Sequence, residues 1–476
     1  MYGDISLRDY EGLGGGFYGG FAGRQGPLEK MPIEEFKKAL AANYQSPRVS
    51  GSGALRVESL EATLRVLTYR ARHIVLFHDV PKAPTYSTVH EFNQQTSYGV
   101  ENGAFVRAGE APQVQESSFV RKFVPVKYLA TQREVDHPTS LVRSAHGDVI
   151  AMYTANGALW LMKMAEKAMY NGRSDCVPEE YDGYDRLLRE DSVFGASNIL
   201  DLRGGPLSYD KLEEGANIIE EAYGEATDLY LSMRALSDLG KQQHTKERIV
   251  LPAPQAGVIG MALRAVQLQS NEVNLKKSIF LRPGKDRGSQ FAPASATAVR
   301  APSSIVSVVG SITAAQGTLF ATSDIGTYQY KVAARNRFGS SAGVQEAGGV
   351  AVTASGDRVN LVITDGGGGD TATCYDIYRS AVGGAAGTEK LIMSVPRVPG
   401  AATTTAYDVN RFLPGKSRAF MFQMNEECVG LIQLAPMFKI PFGTQALSMR
   451  WAQGMYIAPI ARAPQKYVIF DNVNDD

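Results

Sequence analysis

Between Thr139 and Asn171 apolar residues recur at steps of three and four: Val142, Ala145, Val149, Met152, Ala155, Leu159, Met162, Ala165 and Met169. That spacing lays them along one stripe of an α-helix. Pro138 cannot sit inside a helix, and Thr139 or Ser140 behind it is a good N-cap. Asn171-Gly172 is a stop, because glycine tolerates the left-handed turn that follows a last helical residue. At ~1.5 Å per residue the predicted helix would be roughly 48 Å long, more than a compact domain needs. Trp160, Leu161, Met164 and Ala168 widen its apolar face, so it reads as a spine that several neighbours must cover. Lys163, Glu166 and Lys167 break any apolar run long enough to span a membrane, and no membrane partner is expected.

Upstream of the spine the period changes. Residues 85–96 alternate as a strand does, with Tyr86, Thr88, His90 and Phe92 on one face. A polar tip with Gly99, Gly103 and Gly109 follows, and the return strand, Ser118 to Leu129, contains Pro125, which belongs on a sheet edge. An isolated two-stranded ribbon is marginal in water, so this hairpin must rest on something outside itself. Further upstream the pattern predicts a helix from Ala54 to Tyr69 and a short one from Pro32 to Ala42. The first 26 residues hold nine glycines interleaved with Tyr10, Phe17, Tyr18 and Phe21. Ordering so much glycine is entropically costly, so this arm is expected to take shape only on another surface.

Downstream, Ser208 opens a helix with Leu212, Ala216, Ile219 and Tyr223 on one face, and Asp228–Leu231 reads as a strand. Ser232 caps a helix predicted to stop at Gly240, and strand signals recur at Ala265–Leu268 and Ser278–Leu281. From about Phe291 to Val409 charges thin out and short strands repeat (GTYQYKVAARN, DRVNLVITD, CYDIYRS, EKLIMSVP), which predicts a β-sandwich. Tyr328, Tyr330 and Val332 share one face, and Gly366–Gly369 reads as a hairpin loop. From Arg411 longer apolar strands resume. The sandwich is therefore an insert in an α/β region, and exposed loops tolerate such insertions.

Composition adds limits. Hydrophobic residues make up 44% of the 476, and 49 basic residues balance 49 acidic ones, so overall charge gives no drive toward nucleic acid. Cys176, Cys374 and Cys428 lie far apart with no metal or redox spacing, which predicts a reducing compartment and no disulfide framework. The opening MYGDISLRDYEGLGGG lacks a basic head followed by an apolar run, so no secretory signal is expected.

Catalytic motifs fail on context. Gly339-Ser340-Ser341-Ala342-Gly343 matches a nucleophile elbow, but it follows a predicted sandwich strand with no helix behind it. Pro414-Gly415-Lys416-Ser417 ends like a phosphate loop, yet Asn410 stands where the first glycine is required. Gly14, Gly16 and Gly19 fit a dinucleotide fingerprint in spacing only. The six histidines are scattered, and the carboxylate pairs Glu179-Glu180, Glu213-Glu214 and Glu426-Glu427 read as solvated faces. The chain reads as a non-enzyme with no cofactor and no metal. Elements that cannot bury their apolar surfaces within one subunit mark an obligate assembly.

Several segments resemble major capsid proteins of tailed bacteriophages with the Hong Kong 97 fold: ALRVESLEATL, TVHEFNQQTSYG, FVRKFVPVKYLATQREV, LDLRGGPLSYDKLEEGANIIEEAYGEATDLYLS, KKSIFLRPGK and GLIQLAPMFKIPFGTQALSMRWAQGMYIAPIARAPQKYVIFDNV. YQYKVAARNRFGSSAG and YDIYRS are similar to fibronectin type III and immunoglobulin-like modules. The resemblance implies an α+β fold divided into an N-terminal arm (1–54), a peripheral domain (55–84 and 129–180), an extended hairpin loop (85–128), an axial domain (181–291 and 410–445), the insert (292–409) and closing peripheral strands (446–476). It implies hexamers and pentamers of the chain tiling an icosahedral shell around double-stranded DNA, assembled in the bacterial cytoplasm. Portal protein and decoration or scaffold proteins are the implied further partners. The expected subunit interface is Phe17, Tyr18, Phe21, Tyr86, Phe92, Tyr98, Phe119 and Phe123, and the expected spine packing residues are Val149, Met152, Leu159, Trp160 and Met162. Two other readings compete: an encapsulin-type compartment of the same fold, and an adhesin or enzyme carrying a fibronectin module. The insert itself reads as an outward-facing module that binds a surface glycan weakly and gains avidity from many copies.

Overall fold

A computed structural model describes residues 68–100, 102, 104–141, 147–244, 263–286, 289–368, 370–443 and 447–475. The chain divides into two units, residues 1–64 and 65–476, and every described residue belongs to the second. The helices expected at 32–42 and 54–69 lie outside the described residues, apart from the last two positions of the second, Thr68 and Tyr69, which are not helical.

After a helical turn α1 (Leu76–Asp79) come β1 (Lys82–Pro84), β2 (Val89–Ser97), β3 (Ser118–Pro125) and β4 (Lys127–Asp136), then a short α2 (His137–Leu141). β2 and β3 pair antiparallel as the alternation predicted, from Val89 opposite Pro125 to Ser97 opposite Ser118. The return strand does not run on to Leu129. It breaks at buried Val126, whose N–H bonds back to Thr88, and β4 enters a different sheet.

The spine is α3, Val149–Asn171, 23 residues and so roughly 34 Å long. It begins ten residues later than the stripe predicted. Gly147 sits at φ +98°, which a right-handed helix cannot contain, and the Asp148 carboxylate caps the helix by accepting the Ile150 N–H at 2.9 Å. Val142 and Ala145 lie outside the described residues. The buried face is also turned: Leu161, Ala165, Ala168, Met169 and Tyr170 are enclosed, while Val149, Met152, Leu159 and Met162 are half-buried and Ala155 and Trp160 are exposed. The second half of the helix lies between two sheets and the first half does not, so periodicity alone put the most buried positions too far toward the N-terminus.

Beyond α3 and the short α4 (Tyr184–Arg189) the chain forms β5 (Ile199–Asp201), α5 (Tyr209–Glu221), β6 (Asp228–Leu231), α6 (Met233–His244), β7 (Ala265–Gln267) and β8 (Glu272–Lys277). Ser208 and Ser232 cap α5 and α6 as expected. Three details differ from expectation. Tyr223 lies past the end of α5, exposed at φ +59°, α6 runs through Gly240 to His244, and Ile279–Leu281 is a 3-10 turn capped by Ser278.

The insert supplies β9 (Ser307–Thr313), β10 (Gly326–Tyr328), β11 (Tyr330–Arg335), β12 (Val344–Gln345), β13 (Val350–Val352), β14 (Arg358–Thr364), β15 (Cys374–Arg379), β16 (Lys390–Pro396) and β17 (Thr403–Asp408). Sheets of order β12-β11-β15-β16 and β17-β14-β9 share a core of Tyr330, Val332, Val359, Leu361, Ile363, Tyr375 and Ile377. Gly366–Gly368 is not a hairpin loop, because β14 and β15 belong to different sheets. A Cβ on Gly366 would meet the Ser304 carbonyl oxygen at 1.9 Å, so that crossover needs glycine for closeness.

The tail closes two sheets through β18 (Ser417–Phe422), β19 (Val429–Pro441), β20 (Ser448–Ala461) and β21 (Tyr467–Val473). One sheet is β1-β19-β20-β4 and the other β5-β21-β18-β6-β8-β7. This differs from the expected partition: β19 joins the sheet of β4, and β21 joins that of β6. In the six-stranded sheet Tyr230, Phe420, Phe422 and Ile469 face α3, while Leu229, Leu231, Met421, Val468 and Phe470 pack with α5 and α6. Burial on both faces removes the alternation that would have marked these strands.

Candidate assembly surface

The hairpin of β2 and β3 carries two chemically different faces. Phe92, Gln94 and Lys122 point one way: Lys122 Nζ pairs with Asp191 at 2.8 Å, and Gln94 Nε2 donates to the Arg462 carbonyl at 2.7 Å. That face is turned to the chain's own body, and Phe92, stacked on His90, is half-buried there. The other face carries Phe119 and Phe123, which are 66% and 73% exposed, beside the Arg121–Glu91 ion pair. Tyr86 at the base is 97% exposed, and Tyr98 near the tip is exposed as well. Val100, Phe105 and Val114 extend the apolar surface over the tip. Sequence reasoning passed over these three because the tip has no period. Of the expected interface residues the structure therefore brings Tyr86, Tyr98, Phe119 and Phe123 to the open surface and turns Phe92 inward. Phe17, Tyr18 and Phe21 lie outside the described residues.

At the hairpin's foot, Tyr128 packs edge-on to Tyr456 and borders a cleft of about 460 Å³. Trp160 and Met164 of α3 line it together with Arg335 and Arg337 of the insert. Arg337 spans the cleft edge to Glu179 at 2.9 Å. The insert meets the body elsewhere too: Arg173 Nη1 donates to the Ser394 carbonyl at 2.6 Å, and Arg203 pairs with Asp324 at 2.9 Å.

Cys176 and Cys374 are joined, a link between body and insert that overturns the expectation of no disulfide. Their separation of 198 residues hid the pairing, since only folding brings such positions together. Cys428 is free and buried.

Deep in the body, Glu166 accepts the N–H groups of Val75 and Leu76 through Oε1 and of Phe77 through Oε2. Burial pushes its carboxyl up to about 7, although the three N–H groups favour the charged form. Beside it, the Tyr230 hydroxyl donates to Asp79, and Lys276 bridges Asp79 and Asp228 at 3.1 and 2.9 Å.

Two of the catalytic look-alikes are held in local contacts, and Gly14, Gly16 and Gly19 lie outside the described residues. Ser341 Oγ is buried, accepts the Ala334 N–H at 3.0 Å and donates to the Ala342 carbonyl, closing the turn from β11 to β12. Lys416 Nζ donates to Asn474 Oδ1 at 2.7 Å, and strand β18 follows it. Among the described residues no cluster of three or more His, Cys, Asp or Glu converges as a metal site, and no helix is long and apolar enough to cross a membrane.

Compared with known proteins, the chain is 25% identical over 454 residues to the major capsid protein of Staphylococcus phage K, covering 89% of this chain and 90% of that one. It is likewise 25% identical over 448 residues to the major capsid protein of Staphylococcus phage S25-3, with the same coverage. Its relatives are phage major capsid proteins. No family model matches the chain. Among solved structures, the capsid of cyanophage P-SCSP1u shows 9% identity over 91% of this chain and 100% of its own, at a TM-score of 0.45. The SrpI encapsulin of Synechococcus elongatus PCC 7942 shows 10% identity over 90% and 96%, at a TM-score of 0.43.

Proposed function

We propose that this chain is the major capsid protein of a tailed phage, building an icosahedral shell from hexamers and pentamers of itself. The observation that carries the reading is similarity to phage major capsid proteins over 89% of this chain and 90% of theirs. The chain is a structural subunit, and its working parts are surfaces. The exposed apolar face of the β2–β3 hairpin has no partner within the chain's described residues, so a neighbouring copy is its natural cover. The division into arm, peripheral domain, hairpin loop and axial domain follows the Hong Kong 97 plan, with residues 292–409 as an immunoglobulin-like or fibronectin-like module. Of the expected spine packing residues, Leu159 and Met162 pack against the body's own core, while half-buried Val149 and Met152 and exposed Trp160 lie where a neighbour can reach the spine. Double-stranded DNA is the proposed cargo, contacted without sequence preference. Portal and decoration or scaffold proteins complete the virion, and assembly takes place in the host cytoplasm.

Electron microscopy of the purified chain tests this: closed shells of uniform diameter are expected, and only soluble monomers or amorphous aggregate would reject it. Particles from infected cells should hold nuclease-resistant DNA. An enzyme cargo in its place would favour an encapsulin-type compartment.

A further inference from the structure

We propose that Cys176 and Cys374 are a reversible thiol–disulfide site that fastens the inserted sandwich to the foot of the spine helix. The site is open as two thiols in a reducing cytoplasm and closes when the finished particle reaches an oxidising medium. The change of medium rests on the capsid reading above, whereas the chemistry of the pair does not.

The two positions are held together by contacts that do not depend on the bond. Cys176 sits in the loop that leaves α3, and this loop is braced from within: the Gly183 N–H bonds to the Gly172 carbonyl, and Asp182 accepts both the N–H and the hydroxyl of Ser174. Arg186 lies between Asp175, Asp182 and Glu190 and ties the loop to α4. From the insert side, Cys374 opens β15, opposite Pro396 of β16. Arg173 of the loop donates to the carbonyl of Ser394 on that same β16. With Arg337 and Glu179 paired nearby, the two Cα atoms rest 4.8 Å apart, inside the range a disulfide bridges without backbone movement. Both cysteines are fully buried. Reduced, they therefore remain neighbours, and re-forming the bond costs little chain entropy.

One sulfur has a cation beside it. Arg335 Nη2 lies 3.9 Å from Cys374 Sγ, with its Nε facing Asp376 at 3.4 Å, so a donor is placed where a thiolate on this sulfur would carry its charge. Cys374 is accordingly the attacking group. Its thiolate displaces one thiolate from a small external disulfide, giving a mixed disulfide. Cys176, after losing its proton to solvent, attacks Cys374 Sγ and expels the second small thiolate. Two protein thiols are oxidised, one small disulfide is reduced to two thiols, and the balance closes. Both sulfurs are enclosed, so exchange requires the loop at 172–183 to lift, and the closed bond is shielded from reductant once the loop settles. The sandwich then has a third covalent attachment besides its two chain connections and cannot swing away from the cleft at Trp160.

The test is differential thiol labelling of the full chain, in particles and as soluble protein. Cells are lysed into denaturant with N-ethylmaleimide, and a second sample is first treated with oxidised glutathione. Peptide mass spectrometry should find maleimide on Cys176, Cys374 and Cys428 in the quenched sample. After oxidation, label on Cys176 and Cys374 should fall to near zero, a peptide joining the two should replace it, and Cys428 should stay labelled. Dithiothreitol in denaturant should restore both thiols. In Cys176→Ser, Cys374 should stop as the glutathione adduct. Persistent labelling of Cys176 and Cys374 after oxidation, or links between chains, would overturn the site. A full link already present in the quenched sample would overturn its reversibility. A chain that passes this test as soluble protein but never forms shells would sink the capsid reading while leaving the site standing.

Discussion

Glu166, in the second half of the spine helix, accepts the backbone N–H of Phe77 at 2.7 Å, 89 residues earlier in the chain. With the bonds from Val75 and Leu76, one carboxylate satisfies the amide groups at the start of α1, which would otherwise be buried without partners. Glu166→Ala should cost about 2–4 kcal/mol, since it leaves buried donors unsatisfied. Urea unfolding of the unassembled subunit measures this, and a loss below about 0.5 kcal/mol would show that water replaces the carboxylate.

The same residue makes stability depend on pH. Its folded carboxyl is raised from 4.5 to about 7, so between those values the native chain binds more protons than the unfolded one. The Glu166 contribution is then fully present below pH 4.5 and is lost as pH rises through 7, at up to about 1.4 kcal/mol per unit. Comparing the pH 5 to pH 8 slopes of wild type and Glu166→Gln isolates the term. The wild type should lose more stability with rising pH, and parallel slopes would refute it.

Gly157 on α3 faces Gln453 of β20, and a Cβ there would meet Gln453 Oε1 at 1.9 Å. Alanine favours a helix interior by about 1 kcal/mol over glycine. Gly157→Ala should nevertheless destabilise by about 1 kcal/mol or more, because it displaces the buried amide that bonds Thr154 O at 3.0 Å. Adding Gln453→Ala should remove the penalty and expose the helix gain. Independent effects in a double-mutant cycle would contradict the contact.

Inside the insert, Asp408 accepts Arg379 Nη1 at 2.6 Å and the Tyr330 hydroxyl at 2.8 Å, and all three residues are buried. Asp408→Ala strands the guanidinium and should cost about 3–5 kcal/mol. Hydrogen exchange should quicken in β11, β15 and β17 while α3 stays protected. Equal loosening of α3 would mean that the sandwich core does not fold as a separate unit.

Charging the hairpin's outer face should separate folding from assembly. Phe119→Asp and Phe123→Asp alter exposed positions, so subunit stability should change by no more than about 0.5 kcal/mol. Shell yield or resistance to heat should fall sharply. Normal particles from the double variant would place the subunit contact elsewhere.

The β2–β3 pairing, the Ser208 and Ser232 caps, and strands β10, β11, β14, β15 and β16 of the insert were legible in the sequence, because each follows from local alternation or a single hydrogen-bonding side chain. So was the existence of the spine helix, whose true start is written in Gly147-Asp148. Its buried face was not legible: which side of an apolar helix is covered depends on the two sheets that meet it, and their strands come from residues 82 to 473. The same holds for the exchange of β19 and β21 between sheets, since strands buried on both faces carry no sign of which neighbour they pair with. Phe92 and Phe123 look alike as hairpin aromatics, yet register turns one toward the body and leaves the other in solvent. Glu166 read as a polar interruption of the helix and proved to be a buried cap for a distant turn. Periodicity records which residues avoid water, but the partner that removes each from water, whether Phe77 for Glu166 or Cys374 for Cys176, is chosen only when distant segments pack.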